Sequence, residues 1–312
     1  MKVLVTGGSG FIGSHLCRDL VGAGHRVAVL SRESAPWRLH DIMPSLALIR
    51  GGLDDVAAWQ GDLADFRPDA VAHAAWQGVA NFDRDAPSQV DNIAWTAGLV
   101  TRAAAAGASV FLGLGSQAEY GPKSTVIGPD DQPGPTTLYG EAKLAAGRIA
   151  GRIAAQAGLR FVWMRIFSTY GPTDHPYWMI PGLIGQLLKG ARPPLTGCEQ
   201  CWDFLHVADA AQALRLALES AGAHGIYALG SGEAPPLRRT VERVRDRIDP
   251  ALPLGFGDIP YRPDQVMRLQ ADVTRLRDDL CWAATTPLEQ GLDQTVDWYR
   301  ANPWIFAAER AA

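Results

Sequence analysis

Two residues open the case for chemistry. In "LYGEAK", Tyr139 and Lys143 stand four positions apart, a spacing that places both side chains on one face of a helix. An ammonium beside a phenol favours the phenolate and lowers the ordinary tyrosine pKa of about 10. The pair then serves as a general acid and base near neutral pH. Ser116, in "GSQAEYG", follows the apolar run "ASVFLGL". A hydroxyl at the C-terminal end of a buried strand lies at the edge where open α/β sheets bind ligands, and it can hydrogen-bond a reacting oxygen. Neither Gln117 nor Ala118, which follow it, can act as a general acid or base. Glu119 comes one position later and, on an extended backbone, faces away.

A second cluster points to a dinucleotide. "TGGSGFIG" sets Gly7, Gly10 and Gly13 between an apolar strand and a helical segment. Glycines there make the tight turn and let the backbone approach a pyrophosphate, which rests on the helix N-terminus. After the next strand, "VLSRES" puts Ser31 and Arg32 where a carboxylate would bond an adenosine 2′-hydroxyl. A guanidinium instead suits a 2′-phosphate. The expected cofactor is therefore NADP(H) in preference to NAD(H), with Glu33 close enough to keep NAD(H) in play.

The elements that must position these residues follow from hydrophobic patterning. "KVLVTG", "HRVAVLS", "LALIRG", "DAVAHAA", "ASVFLGL" and "RFVWMRI" read as six strands. Helices are expected between them, among others from about Asn92 to Ala106 and from Leu138 to Gln156. Apolar strands alternating with helices imply a parallel sheet covered on both faces. The fold class is thus α/β, a doubly wound (Rossmann) parallel sheet. Beyond Ile166, prolines punctuate shorter pieces. "DFLHV" reads as a strand feeding the helix "ADAAQALRLALES", and "GIYALG" as a strand returning to the sheet. Helical segments near 236–248 and 287–300 complete a smaller mixed α/β lobe. The expected division is 1–166, with 203–229 returning to it, for the dinucleotide, and 167–202 with 230–312 for the substrate.

Composition narrows the partners. The net charge of −4 argues against nucleic acid. No apolar run approaches the ~20 residues of a membrane span. "MKVLVTGG" enters a strand directly, without signal-peptide order, so a cytoplasmic location is expected. Of Cys17, Cys198, Cys201 and Cys281, one pair has C-x-x-C spacing. It supplies only two of the four ligands of a structural zinc site, so no metal is expected.

Taken together, "TGGSGFIG", Ser116 and "YGEAK" resemble the extended short-chain dehydrogenase/reductases, in the nucleoside-diphosphate-sugar epimerase/dehydratase branch. "DNIAWTAGLVTRAA", "RIFSTYGP", "IPGLIGQLLKG", "DFLHVADAAQAL", "YALGSGE" and "LEQGLDQTVDWYR" extend the likeness over essentially the whole chain. The resemblance implies hydride transfer at a sugar carbon, with Tyr139 as acid/base, Lys143 holding the nicotinamide ribose, and Ser116 positioning the sugar oxygen. It implies that Gly7, Gly10, Phe11, Ile12, Gly13, Ser31, Arg32, Ala74, Ala75 and Asn92, with Tyr139 and Lys143, bind the cofactor. Trp76, Gln117, Ser168, His175, Trp202 and Arg262 are the expected substrate contacts, with Arg262 on the diphosphate. A nucleoside-diphosphate sugar is the expected partner, and the two Ala/Gly-rich helices imply a homodimer.

Departures from the family pattern bear on the reaction. Gly52 replaces an acidic residue common near the adenine, Ser168 a common asparagine, and Trp202 a common arginine. The family's 4,6-dehydratases carry Asp and Glu directly after the catalytic hydroxyl; Gln117 and Ala118 stand there instead, which argues against dehydration. Arg32 tilts the expectation toward an NADPH-dependent reductase of a 4-keto-6-deoxyhexose nucleotide. An NAD(P)-dependent sugar epimerase is the alternative, followed by a non-catalytic dinucleotide-binding protein. His175 reads either as a second acid or as a solvated loop histidine. His73 and His206 read as structural, and Trp178 and Trp202 as core, pocket wall or stacking platforms.

Overall fold

The computed structural model describes residues 1–308. The chain runs β1 (Lys2–Thr6), α1 (Phe11–Gly22), β2 (Arg26–Ser31), β3 (Leu46–Arg50), α2 (Gln60–Phe66), β4 (Ala70–His73), α3 (Asp91–Ala105), β5 (Val110–Ser116), α4 (Leu138–Ala157) and β6 (Arg160–Ile166). There follow β7 (Ser168–Tyr170), α5 (Met179–Leu187), β8 (Pro194–Leu195), β9 (Cys201–Trp202), β10 (Phe204–His206), α6 (Val207–Glu219) and β11 (Gly225–Leu229). The last elements are α7 (Leu237–Ile248), β12 (Gly255–Phe256), β13 (Arg268–Leu269), α8 (Thr274–Leu280), α9 (Leu288–Ala301) and α10 (Ile305–Ala308). The helices anticipated from the sequence lie within a residue or two of these bounds.

The main sheet is parallel, in the order β11-β6-β5-β4-β1-β2-β3. Alternation along the strands sorts its two faces. Val3, Val5, Leu112, Leu114 and Met164 pack with Leu16 of α1 and Leu214 of α6. Leu4, Val71 and Phe111 pack on the other side with Leu99 of α3 and Ala150 of α4. Both faces are covered, as a parallel sheet requires, and this is the Rossmann-type α/β architecture. Strand order reverses between β1 and β4, which opens the ligand crevice at their C-terminal ends.

One strand lies elsewhere than expected. The "DFLHV" segment, β10, pairs with β7 in a separate two-stranded sheet, whereas β11 joins the main sheet beside β6. A third core gathers Ile184 of α5, Val241 and Val244 of α7, and Leu292 and Val296 of α9. Helices α7 and α9 are also laced by Arg239–Glu289, Arg243–Asp293 and Arg247–Asp297, stepping four residues along each helix. Such exposed pairs contribute little singly and set register more than stability.

Buried polar groups hold the pieces together. Asp209 of α6 accepts hydrogen bonds from the Thr285 amide (3.1 Å), the Thr285 hydroxyl (2.7 Å) and the Thr286 amide (3.0 Å). This fastens α6 to the segment entering α9. His73 joins Thr6 Oγ1 (2.7 Å) to Thr96 Oγ1 (3.0 Å), linking β1, β4 and α3. His15 of α1 bonds the Pro172 carbonyl at 3.1 Å. No described helix is long and apolar enough to cross a membrane.

Two predictions follow from these groups. Asp209→Ala removes the shared acceptor of three hydrogen bonds from Thr285 and Thr286 and should lower unfolding stability by about 2 kcal/mol, measured by urea denaturation. Burial pulls His73 from 6.5 to about 3 and His15 from 6.5 to about 4. Each imidazole takes up a proton more readily in the unfolded chain, so their contribution is complete above pH 6.5 and is lost as pH falls toward 4. The drop in urea midpoint between pH 6.5 and pH 4 should be smaller in His15→Gln than in the wild type.

Candidate active site

The site is built where the first turn of α4 meets the end of β5. Thr137 caps α4 by accepting from the Gly140 amide at 3.1 Å. The Leu138 amide donates to Asp85 Oδ1 (3.0 Å) and the Tyr139 amide to the Arg84 carbonyl (2.7 Å). A Cβ on Gly140 would stand 2.6 Å from the Ala118 carbonyl oxygen. Glycine there lets the helix close on the 3-10 turn Gln117–Glu119. The result places the Tyr139 phenol against the Ser116 hydroxyl, with Lys143 one turn further along α4.

Burial governs the electrostatics. Tyr139 and Lys143 are 8% and 4% exposed. Contrary to the lowering expected from Lys143, burial raises the Tyr139 phenol above its ordinary value, opposed by the Ser116 hydroxyl and by the nearby charge of Arg84 and reinforced by Glu119. It also lowers the Lys143 ammonium from 10.5 to about 7. Lys143 Nζ donates to the Leu114 carbonyl at 2.8 Å and lies 3.7 Å from the Trp76 ring centroid. Trp76 in turn meets Tyr139 edge to face, and its indole N–H donates to Gln89 at 2.8 Å.

The glycine turn fits a dinucleotide. Gly7 has φ +70°, and a Cβ on it would lie 2.5 Å from the Ala75 amide nitrogen. A Cβ on Gly13 would overlap the Gly7 carbonyl, so both glycines are needed for the close turn. Helix α1 begins at Phe11 with no side chain capping it, leaving its N-terminal face to an anion. Arg38 donates to the Thr173 carbonyl (2.9 Å) and the Ser9 carbonyl (3.4 Å), bridging this turn to the segment after β7. Thr173 itself has φ +72°.

Other expected contacts are placed unevenly. Arg32 pairs with Asp54 at 2.6 Å at the exposed edge of the sheet, while the buried Ser31 hydroxyl accepts from the Glu33 amide at 3.0 Å. Asn92 spends its amide on the Gln77 backbone, at 2.9 and 3.1 Å. Ser168 and Trp202, read separately from the sequence, meet: the indole N–H donates to the hydroxyl at 2.7 Å. His175 stacks on Tyr177, ring centroids 4.0 Å apart. Arg262 is 74% exposed, with Asp264 at 3.8 Å, and is not brought against the other residues. Gln117 opens the 3-10 turn beside Ser116.

One residue escaped the sequence reading and another was read on the wrong backbone. Arg84 lies with its guanidinium carbon 5.2 Å from the Tyr139 ring centroid, and its Nε is buried without a hydrogen-bond partner among the described residues. A lone arginine in a loop gives no periodic signal. Glu119 lies in a helical turn rather than on the extended backbone expected, with its charge felt at Tyr139 and Lys143. It is fully buried and paired with Arg165 at 2.7 Å. The match S-x-x-E to a capping box was its available signal.

Taken whole, the chain that carries this hydroxyl–phenol–ammonium group is similar to proteins of known activity. The chain is 29% identical to a dTDP-glucose 4,6-dehydratase of Actinoplanes sp., over 97% of this chain and 98% of that protein. It is 28% identical to a UDP-glucose 4-epimerase of Corynebacterium glutamicum, over 99% and 96%. Among solved structures, MoeE5 in complex with UDP-glucuronic acid and NAD is 31% identical, with TM-score 0.83 over 97% of this chain and all of that one (100%). The Thermus thermophilus UDP-glucose 4-epimerase with NAD is 28% identical, with TM-score 0.82 over 96% and 99%. Residues 3–230 match the model of the NAD dependent epimerase/dehydratase family. The chain is an enzyme belonging to that family.

Proposed function

We propose that the chain is an NAD(P)-dependent epimerase of a nucleoside-diphosphate sugar. The observation that carries this reading is the pair Gln117 and Ala118 after Ser116. The redox group is intact, while the two side chains that elimination needs are an amide and a methyl. Relatives of the chain include 4,6-dehydratases and 4-epimerases; of these two reactions, inversion is the one that needs no such side chains.

In this reading residues 1–166, with 203–229, take the dinucleotide, and 167–202 with 230–312 take the sugar. Gly7, Gly10 and Gly13 hold the pyrophosphate against α1, and Lys143 holds the nicotinamide ribose. When bound, the nicotinamide supplies a hydride acceptor and donor. Tyr139 takes the sugar hydroxyl proton and later returns it to the oxygen. Ser116 donates a hydrogen bond to that oxygen and keeps it in line with the phenol. Lys143, poised near pH 7 before cofactor binds, favours the phenolate when protonated. Trp76 closes the site against water beside the Tyr139 ring. Helices α3 and α4, the latter exposing Ile149, are the proposed pairing faces of a homodimer.

Arg32 supports a second reading, a net reductase using NADPH. Its pairing with Asp54 offsets the charge on which that reading rests, and epimerisation therefore comes first.

Incubation with NAD+ or NADP+ and UDP-glucose, UDP-glucuronic acid or dTDP-glucose should yield an epimer of at least one sugar, followed by chromatography. Absorbance at 340 nm should show no net change. Stoichiometric NADPH consumption with a 4-keto sugar, and no epimer, would establish the reductase instead. Tyr139→Phe should lower kcat by at least ~100-fold; retained activity would refute the site. Should Arg32 turn from Asp54 to a 2′-phosphate, Arg32→Ala would weaken NADP+ binding by about tenfold and leave NAD+ binding unchanged. Equal effects on the two would end the NADP(H) preference.

A further inference from the structure

Beside Ser116, packed among β5, β6 and α4, lies a buried ion pair that takes no part in the proposed proton transfers, although the Glu119 charge is felt at Tyr139 and Lys143. The Glu119 and Arg165 side chains are 1% and 3% exposed. Glu119 Oε2 accepts from Arg165 Nε at 2.7 Å. Glu119 Oε1 accepts from the Ser116 amide at 2.9 Å and from the Trp163 indole N–H at 3.0 Å. Ser116 Oγ accepts in return from the Ala118 amide at 3.1 Å, completing a reciprocal capping box.

The surroundings are shaped to admit this group. A Cβ on Gly113 or Gly115 would overlap the Trp163 ring, and one on Gly147 of α4 would lie 2.7 Å from it. Gly113 and Gly115 are two apart on β5 and so share a face. Their missing side chains form the slot through which the indole N–H reaches Glu119. Arg165 also covers the Tyr120 ring, its guanidinium carbon 4.3 Å from the centroid.

For folding alone this is an expensive solution. Two buried charges lose their hydration, and a well-packed apolar pair of similar volume would stabilise the core as well or better. What an apolar pair cannot supply is an acceptor for the Ser116 amide. With that amide fixed and one Oγ lone pair occupied by Ala118, the hydroxyl proton is left to point toward the Tyr139 phenol and the cleft.

We propose that Glu119, steered by Arg165 and Trp163, is the positioning residue for Ser116. It touches neither substrate nor cofactor and acts by fixing the direction in which the serine hydroxyl donates. The inference rests on the reading of Ser116 as a partner of Tyr139 in sugar turnover.

The test compares wild type, Ser116→Ala, the double variant Glu119→Leu/Arg165→Met, and all three changes combined. Sugar turnover and urea midpoints are measured for each. The double variant leaves the Ser116 amide and the Trp163 indole N–H without their acceptor, so its urea midpoint should fall modestly while it still folds; kcat should drop on the order of tenfold with KM unchanged. Added to Ser116→Ala it should cause no further loss, because both act through one hydroxyl. Wild-type kcat in the double variant, or a loss that adds in full to that of Ser116→Ala, overturns the proposal. Should the double variant not fold, Trp163→Phe replaces it, keeping an aromatic ring in the slot, with a cavity that the urea midpoint reads out, while removing one donor that steers the carboxylate. A fall in kcat at constant KM that disappears in the Ser116→Ala background supports the proposal; unchanged kcat overturns it. Full activity in Ser116→Ala would instead refute the role of the serine itself, a failure distinct from that of Glu119 alone.

Discussion

Everything in the cleft depends on how closely the first turn of α4 approaches the end of β5. The absence of a side chain at Gly140 sets that distance, since a methyl there would run into the Ala118 carbonyl. From the contact follow the meeting of Tyr139 with Ser116, the burial of Lys143 under Trp76, and the stitching of residues 84 and 85 to the helix start. A phenol and an ammonium kept this dry have strongly altered proton affinities. The altered chemistry is thus a consequence of packing rather than of any one unusual residue.

The frame around this contact was legible in the sequence because it obeys local rules. Strands buried on both faces read as unbroken apolar runs, as in "KVLVT" and "ASVFLGL". A four-residue step on a helix brings Tyr139 and Lys143 to one face wherever the helix lies. Glycines needed for a turn appear as glycines, and Gly7 and Gly13 occupy the cramped positions their spacing implied.

What was not legible depends on meetings between distant segments. Ser168 and Trp202 were each singled out, yet their mutual hydrogen bond is visible only once β7 and β9 come together. Arg84 has no pattern to betray it, and its role over the Tyr139 ring is fixed by the third dimension alone. Pairing between Arg32 and Asp54 spans a strand and a loop. It changes what the arginine means, because a charge already answered by a carboxylate is a weaker signal for phosphate. Glu119 was judged on an extended backbone, whereas the chain turns helically at Ser116 and buries the carboxylate against Trp163 and Arg165.

The slot that holds Trp163 has a consequence for how such a sequence can change over generations. Gly113, Gly115 and Gly147 come from a strand and a helix, yet all three are hollowed out for one indole. Enlarging any of them collides with the ring, and shrinking the ring leaves three empty positions at once. These four sites therefore drift as a unit. Any single change among them introduces either a clash or a cavity beneath the helix that carries Tyr139 and Lys143.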